Sequence, residues 1–457
     1  MSDDPRRIAI RGGRLIEERS TVVADVLVDG GTIAAIGRSS EWSADLEIDA
    51  GGSYLLPGGV DAHVHFQTPS DGTHTTDSFS SGSTAAAFGG TTTALQFAVQ
   101  DRGESLVAAV DRWRALLVAS PSFIDVGFHL MITDLAAPER LEELRSLVEL
   151  GVTSFKVFMS GENAIRAHDL FRTMQMAAEL GARLMIHAED GASIDVLVGQ
   201  ALDAGRVDPI EHARTRPAPT EAIAVYRAIE YARMTGASVY FVHLSTAAAV
   251  AHVARARAEG LPIDGETCPQ YLLFDESILH GTFAESAPYL FTPPPRGEGD
   301  RDALWAALEC GDLSTVASDH GGYCLHEKVD APDFAHVPQG ILGIETRLSL
   351  LHTLGIRTGR LSWARFVELT ATTPARLFGL AGRKGVIKVG ADADLVLFDP
   401  EARHTVSRTT HHSAHDFNPY EGVELTGAVT HTLVGGRLLV DRGSWTSPRA
   451  SGHFLQR

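Results

Sequence analysis

Six side chains able to ligate a metal ion stand at or beside the ends of short apolar runs: His63 and His65, Lys156, His187, His243 and Asp319. Residues two apart on a strand point to the same face, so both imidazoles of LLPGGVDAHVH can reach one ion. An HxH pair alone also arises by chance on a half-buried strand. Four further runs, VTSFKVFM, RLMIHAE, VYFVHLS and STVASDH, each carry another candidate ligand at or next to the C-terminal end. In a parallel α/β barrel every strand C-terminus opens on one face, where such enzymes do their chemistry. The distribution therefore predicts one binuclear metal site assembled by a barrel.

Two dications a few ångströms apart need a bridging anion, because their repulsion is otherwise unopposed. Lys156 looks unsuited to that task, since a buried ammonium repels metal. Carboxylation by CO2 to N6-carboxylysine would resolve the conflict by making an anion with one oxygen for each ion. Two dications then meet three anions (the carbamate, Asp319 and a bridging hydroxide), leaving a net charge of about +1. Spacing alone favours the plainer reading of Lys156 as a salt-bridged barrel lysine, and Asp319 also reads as a strand-end N-cap.

The elements needed to position these residues are legible as patterns. Residues 7 to 56 contain short β-type runs separated by glycine turns (IAIRGGRLI, VVADVLVDG, TIAAIG). From Leu55 onward apolar runs alternate with helical stretches, the signature of βα units. The runs LLPGGVDAHVH, TTTALQFA, IDVGFHLMI, VTSFKVFM, RLMIHAE, VYFVHLS, LPIDGET and LSTVASDH supply the eight strands of a TIM-type (β/α)8 barrel. Helical periodicity marks the segments between them, and Gly151, Gly181, Gly236 and Gly260 follow as C-cap signals. After 379 β-type runs return (GVIKVG, ADLVLFDP, GAVTHTLVGGRLLVDRG). The expected organisation is a composite β-sandwich of residues 1–56 and 380–457 beside a hydrolase barrel of residues 57–379.

Composition sets the class. With 457 residues and 44% hydrophobic content the chain can bury a large core. A formal net charge of -19, spread rather than blocked, argues against nucleic acid and anionic membrane as partners. The three cysteines, Cys268, Cys310 and Cys324, have no CxxC spacing, and no run of about eighteen apolar residues occurs. The expectation is a reduced, cytoplasmic, soluble protein. Walker, GxGxxG and GxSxG motifs are absent. Cys268 reads as structural, and His74, His129, His411 and His412 read as packing or surface residues.

Taken together, DAHVHFQTP, DSFSSGSTAAAFGGTTT, SFKVFMS, IHAED, ETCPQYLLFDES, TPPPR, SDHGG, GIETRLSLL, ARLFGL, KGVIKVGADADLVLFDP and NPYEG resemble the cyclic amidohydrolases, above all the dihydropyrimidinases and hydantoinases. The resemblance covers nearly the whole chain. It implies two zinc ions, the more buried one held by His63, His65, carboxylated Lys156 and Asp319, the other by Lys156, His187 and His243. It also implies a homotetramer. A hydroxide bridging two zincs is available as a nucleophile near neutral pH. It would attack the amide carbonyl of a dihydropyrimidine or 5-substituted hydantoin ring, with Asp319 as general acid/base, and yield an N-carbamoyl amino acid.

The match loosens at the substrate. Where hydantoinase-like enzymes carry an oxyanion-stabilising tyrosine, five positions after the lysine, this chain has Gly161, so a hydrogen bond worth roughly 3 kcal/mol must come from elsewhere. Ser160 is the nearest hydroxyl. Thr292 replaces the usual serine before the double proline and Gln339 the usual asparagine, both at contacts made mainly through backbone. Phe158 and the loop Phe66–Thr76 are expected to face the exocyclic substituent, with core packing the alternative for either phenylalanine. Gln67 replaces the arginine with which dihydroorotases bind a carboxylate, which argues against that activity. Allantoinase or another cyclic ureide or imide hydrolase stays open, since a neutral substrate needs no fixed cation. A non-catalytic scaffold of this family would have lost ligands, and all six are intact.

Overall fold

The computed structural model describes residues 7–16, 20–38, 41–70, 72–447 and 449–457. Alternating apolar residues build the first strands: β1 (Arg7–Ile16), β2 (Thr21–Asp29) and β3 (Thr32–Gly37) pair antiparallel in sequence, and β4 (Leu46–Asp49) and β5 (Tyr54–Pro57) lie parallel to β1. One residue later the chain enters the barrel as β6 (Gly59–Val64) and then forms a small hairpin, β7 (Pro69–Ser70) and β8 (Thr73–His74).

The remaining barrel strands are β9 (Thr91–Val99), β10 (Asp125–Met131), β11 (Ser154–Phe158), β12 (Arg183–His187), β13 (Ser238–Phe241), β14 (Ile263–Thr267) and β15 (Thr315–Val316). All eight expected runs form strands, each parallel to its neighbour from β6 to β15. A parallel bridge from Val64 to His320 brings the two ends together. Strands β6, β9 and β10 are buried along their whole length, as a sheet covered by helices on the outside and packed within requires. Outside lie helices such as Leu106–Ala119, Ala167–Leu180, Ala218–Thr235, Ala247–Ala258 and Glu298–Cys310. Between β12 and β13 there are two helices the sequence reading did not place, Gly191–Asp203 and Ile210–Thr215. The first buries only Gly191, Ile194 and Ala201, too few apolar positions to mark a stripe.

The chain then returns to the first sheet through β16 (Leu395–Thr405), β17 (Glu424–Val434), β18 (Arg437–Asp441) and β19 (Ser444–Trp445). Its path runs β19-β18-β17-β16-β5-β1-β2-β3. The sheet rolls over itself: Ile33 N–H donates to Ala391 O at 2.9 Å, and Ile8, Val26 and Ile33 share one core with Leu395, Leu397 and Leu433. The C-terminal segment departs from the expected boundary. Strand β20 (Phe454–Leu455) leaves this sheet and pairs with barrel strand β10, because Asp125 accepts the His453 N–H at 2.8 Å and fastens it there.

The same Asp125 joins the two parts of the molecule. Buried Lys384 donates to Asp125 at 2.5 Å and to Asp394, just before β16, at 2.8 Å. Removing one partner of a buried ion cluster leaves uncompensated charge, at a cost of about 3–5 kcal/mol. Lys384→Met is therefore expected to lower the unfolding free energy by roughly that amount in urea titrations; an unchanged midpoint would show that the cluster does not hold the two parts together.

Candidate metal centre

The six candidate ligands converge at the C-terminal mouth of the barrel in two groups. In the first, His63 Nε2 lies 3.1 Å from His65 Nε2, and Asp319 Oδ1 lies 3.0 and 3.3 Å from those two nitrogens. In the second, His187 Nδ1 faces His243 Nε2 at 2.9 Å. Lys156 stands between the groups. Its Nζ is buried without a hydrogen-bond partner, 4.9 Å from the ring centres of Phe97 and of Phe158. Phe97 packs on His63 and His65, and Phe158 stacks on His187.

Carboxylates hold the imidazoles from behind, and these escaped the sequence reading. Glu266, in β14, bonds His63 Nδ1 and accepts from Tyr240 Oη at 2.6 Å and His243 N at 3.2 Å. Glu189 meets His187 Nε2 at 2.8 Å, leaving Nδ1 to face inward. Asp61 accepts from His63 N at 3.3 Å and from Ser318 N at 3.1 Å, tying the first ligand strand to the last. The available signal was position: the run LPIDGET ends beside Glu266, as the other runs end beside ligands. The backbone is also specialised, with His243 at φ 38° and Asp319 at φ 51°, in the left-handed region that non-glycine residues occupy only when their surroundings enforce it.

Electrostatics follow from burial and these partners. Burial lowers the Lys156 amine to about 8, against the pull of Asp319 and Glu266. Burial opposes charge on His63 too, yet Asp319 and Glu266 carry it up to about 9. Burial takes His65 down to about 4. For Asp319 burial acts to raise the carboxyl, but His63 outweighs it and holds the group well below the usual carboxylate range. The donor set fits two divalent ions: two groups of ligand atoms face inward, their far nitrogens are anchored by Glu266 and Glu189, and a partnerless amine lies between.

The ligands open into a cavity of about 300 Å³. Phe158, Ser160, Thr292 and Gln339 line it, and Thr292 Oγ1 donates to the Gln339 carbonyl oxygen. Phe66 does not face it. This residue is fully buried against Gly82, Phe79 and His320, since it points away from His65 into the first barrel helix. Gly161 lines the cavity at φ 75°, with Glu162, Asn163 and Arg216, which the sequence reading did not select.

Comparison with known proteins gives a consistent result. A model of the amidohydrolase family matches residues 54–439. The chain is 42% identical to the D-hydantoinase of Geobacillus stearothermophilus, over 98% of this chain and 96% of that one. It is also 42% identical to the D-hydantoinase of Streptomyces coelicolor, over 99% and 98%. The crystal structure of dihydropyrimidinase from Brevibacillus agri superposes with a TM-score of 0.96, at 42% identity, covering 99% of this chain and 98% of that one.

Groups that orient a metal-bound histidine from behind commonly contribute 10–100-fold in metal affinity. Glu266→Gln is accordingly expected to weaken zinc binding by about that factor in chelator competition, with the fold retained by circular dichroism. Wild-type affinity in that variant would show that Glu266 does not orient His63.

Proposed function

The chain belongs to the amidohydrolase family, and on that premise we propose that it is a binuclear metal-dependent hydrolase that opens a cyclic amide ring, a dihydropyrimidine or a 5-substituted hydantoin, to an N-carbamoyl amino acid. The observation that carries this reading is the buried, partnerless Lys156 amine standing between two sets of inward-facing ligands. Full-length similarity to D-hydantoinases supports the ring class and the D enantiomer.

His63, His65 and Asp319 would hold one divalent ion, His187 and His243 the other, and Lys156, as N6-carboxylysine, would serve both. Zinc suits this set of imidazole and carboxylate donors. An amine titrating near 8 is about one-tenth neutral at pH 7, and the neutral form reacts with CO2. There the N–C bond forms and a proton leaves to solvent. When bound, the ions supply Lewis acidity toward the ring carbonyl and a nucleophile at neutral pH. Asp319 would accept the proton of the attacking water at a carboxylate oxygen and return it to the leaving ring nitrogen. The segments at Thr292 and Gln339, joined by their side-chain hydrogen bond, frame the ring, while Phe158 and Ser160 limit its substituent.

Among the described residues no helix is long and apolar enough to cross a membrane, in keeping with a cytoplasmic enzyme. Helix Ala218–Thr235 exposes Ile223 at 53%, Tyr226 at 52% and Met234 at 63%, which supports assembly of copies into a homotetramer.

Two measurements test the reading. Lys156→Ala should lose activity together with bound metal, by elemental analysis, with partial recovery in a short carboxylic acid; full activity in that variant would remove Lys156 from the bridge. Zinc-loaded protein offered dihydrouracil, racemic phenylhydantoin, allantoin, dihydroorotate and a cyclic imide is expected to turn over the first two and to release the D-carbamoyl amino acid from the second. Turnover of allantoin alone would move the assignment to the ureide hydrolases.

A further inference from the structure

A second group of metal-ligating side chains lies on the rim of the barrel mouth, apart from the six ligands. Cys324, His326 and Asp416 each offer one atom, and the three atoms lie within 4.8 Å of one another. Cys324 and His326 follow β15, whereas Asp416 comes from the segment between β16 and β17. The two segments are already pinned together, because Leu325 N–H donates to Asp416 Oδ1 at 2.8 Å. Each of the three ligand types serves divalent zinc, and a tetrahedral site has ligand atoms ~3.5 Å apart. Closing the group from its present spacing takes about 1 Å of side-chain adjustment, and His326 and Asp416 are exposed enough to move. The local field is mixed. Glu327 lies beside Cys324, accepting from its N–H at 2.8 Å, while Arg408 donates to Asp416 O at 3.1 Å.

We propose that Cys324, His326 and Asp416 form a third cation site on the rim, taking Zn2+ or another thiophilic divalent ion, with water completing the coordination. Binding exchanges the Cys324 thiol proton for the ion, so the proton leaves to solvent and a metal–sulfur bond forms. No redox step is involved.

The position of this site gives it a route to the cavity. Cys324 caps the short helix Leu325–Val329, and its sulfur lies 3.6 Å from Thr76 Oγ1 beyond the β7–β8 hairpin. On the same helix, buried Lys328 donates to Leu290 O and to Gly340 O, both at 2.8 Å. Those carbonyls belong to the two segments that carry Thr292 and Gln339 into the cavity. Tyr323, immediately before Cys324, lines it as well. An ion that fixes the start of this helix therefore stiffens the frame that Lys328 holds, so on the proposed function occupancy is expected to lower turnover.

The test uses protein already loaded with two equivalents of zinc. Titration with Co2+ is expected to give one further equivalent and a near-ultraviolet thiolate-to-cobalt band, which ligands of nitrogen and oxygen alone do not produce. Excess Zn2+ should fill the same site and lower kcat several-fold. Cys324→Ser and, independently, His326→Gln should keep two equivalents of zinc and basal turnover while losing the band and the inhibition; a Cys310→Ser control should keep both. A wild-type protein that takes up no third equivalent, or a band and inhibition that persist in both rim variants, would overturn the proposal.

Discussion

An amine buried without a hydrogen-bond partner is the constraint around which this barrel is arranged. Lys156 sits on a central strand with its Nζ sealed between the faces of Phe97 and Phe158, and a desolvated cation gains only about 2 kcal/mol from such faces. Leaving a buried charge otherwise unpaired costs several kcal/mol. The cost disappears when the amine becomes an anion between cations. Under the proposed function, carboxylation would convert this poorly compensated amine into a bridge between two ions, and its apolar ring contacts suit that change. The rings exclude competing hydrogen-bond partners, and burial among them lowers the amine to about 8.

The ligands are held with corresponding care. His63 and Asp319 come from opposite ends of the barrel sequence, and Asp61 fixes the backbone at both through two N–H donors. Arg347, fully buried, lies 3.5 Å from the other oxygen of Asp61 and donates to Val316 O at 2.9 Å. The charge that orients the ligands is thus itself neutralised within the barrel, where an unpaired carboxylate would titrate or draw in water. The left-handed conformations of His243 and Asp319 belong to the same logic, since each costs of order 1–3 kcal/mol and survives only under dense surrounding contacts.

This division explains what the sequence could and could not convey. The convergence of the six candidate ligands was legible because barrel topology assigns them a position, the strand C-terminus, that reads directly as the end of an apolar run. The supporting carboxylates were harder to see. Glu266 reaches His63 across 203 positions of sequence, and its strand-end position alone does not say which imidazole it meets. Phe66 misled for a related reason: adjacency to His65 suggested the cavity, but Phe66 lies in the turn after β6 and its ring packs against Gly82 of the following helix. The last strand, β20, carries two residues, too few for a pattern, and long-range bonds place it: Asp125 accepts the His453 N–H, and Arg457 N–H donates to Gly151 O at 3.0 Å.

At Gly161 the chain departs from the tyrosine expected at this point of the cavity wall. A glycine at φ 75° is more than a tyrosine with its ring removed, because the backbone occupies a region where an L side chain costs about 1–2 kcal/mol. It closes a tight turn, with Ala164 N–H donating to Gly161 O at 3.1 Å. That turn brings Glu162 and Asn163 to the wall and leaves Arg216 lining it with an unpartnered Nε–H. Under the proposed function, the donors that face the ring would come from this turn and from Arg216, while the candidate metal ligands sit at the strand ends below. On the proposed function, hydrolysis and ring choice would be separated in this fold, with the barrel strands carrying the candidate ligands and the loops above them the cavity wall.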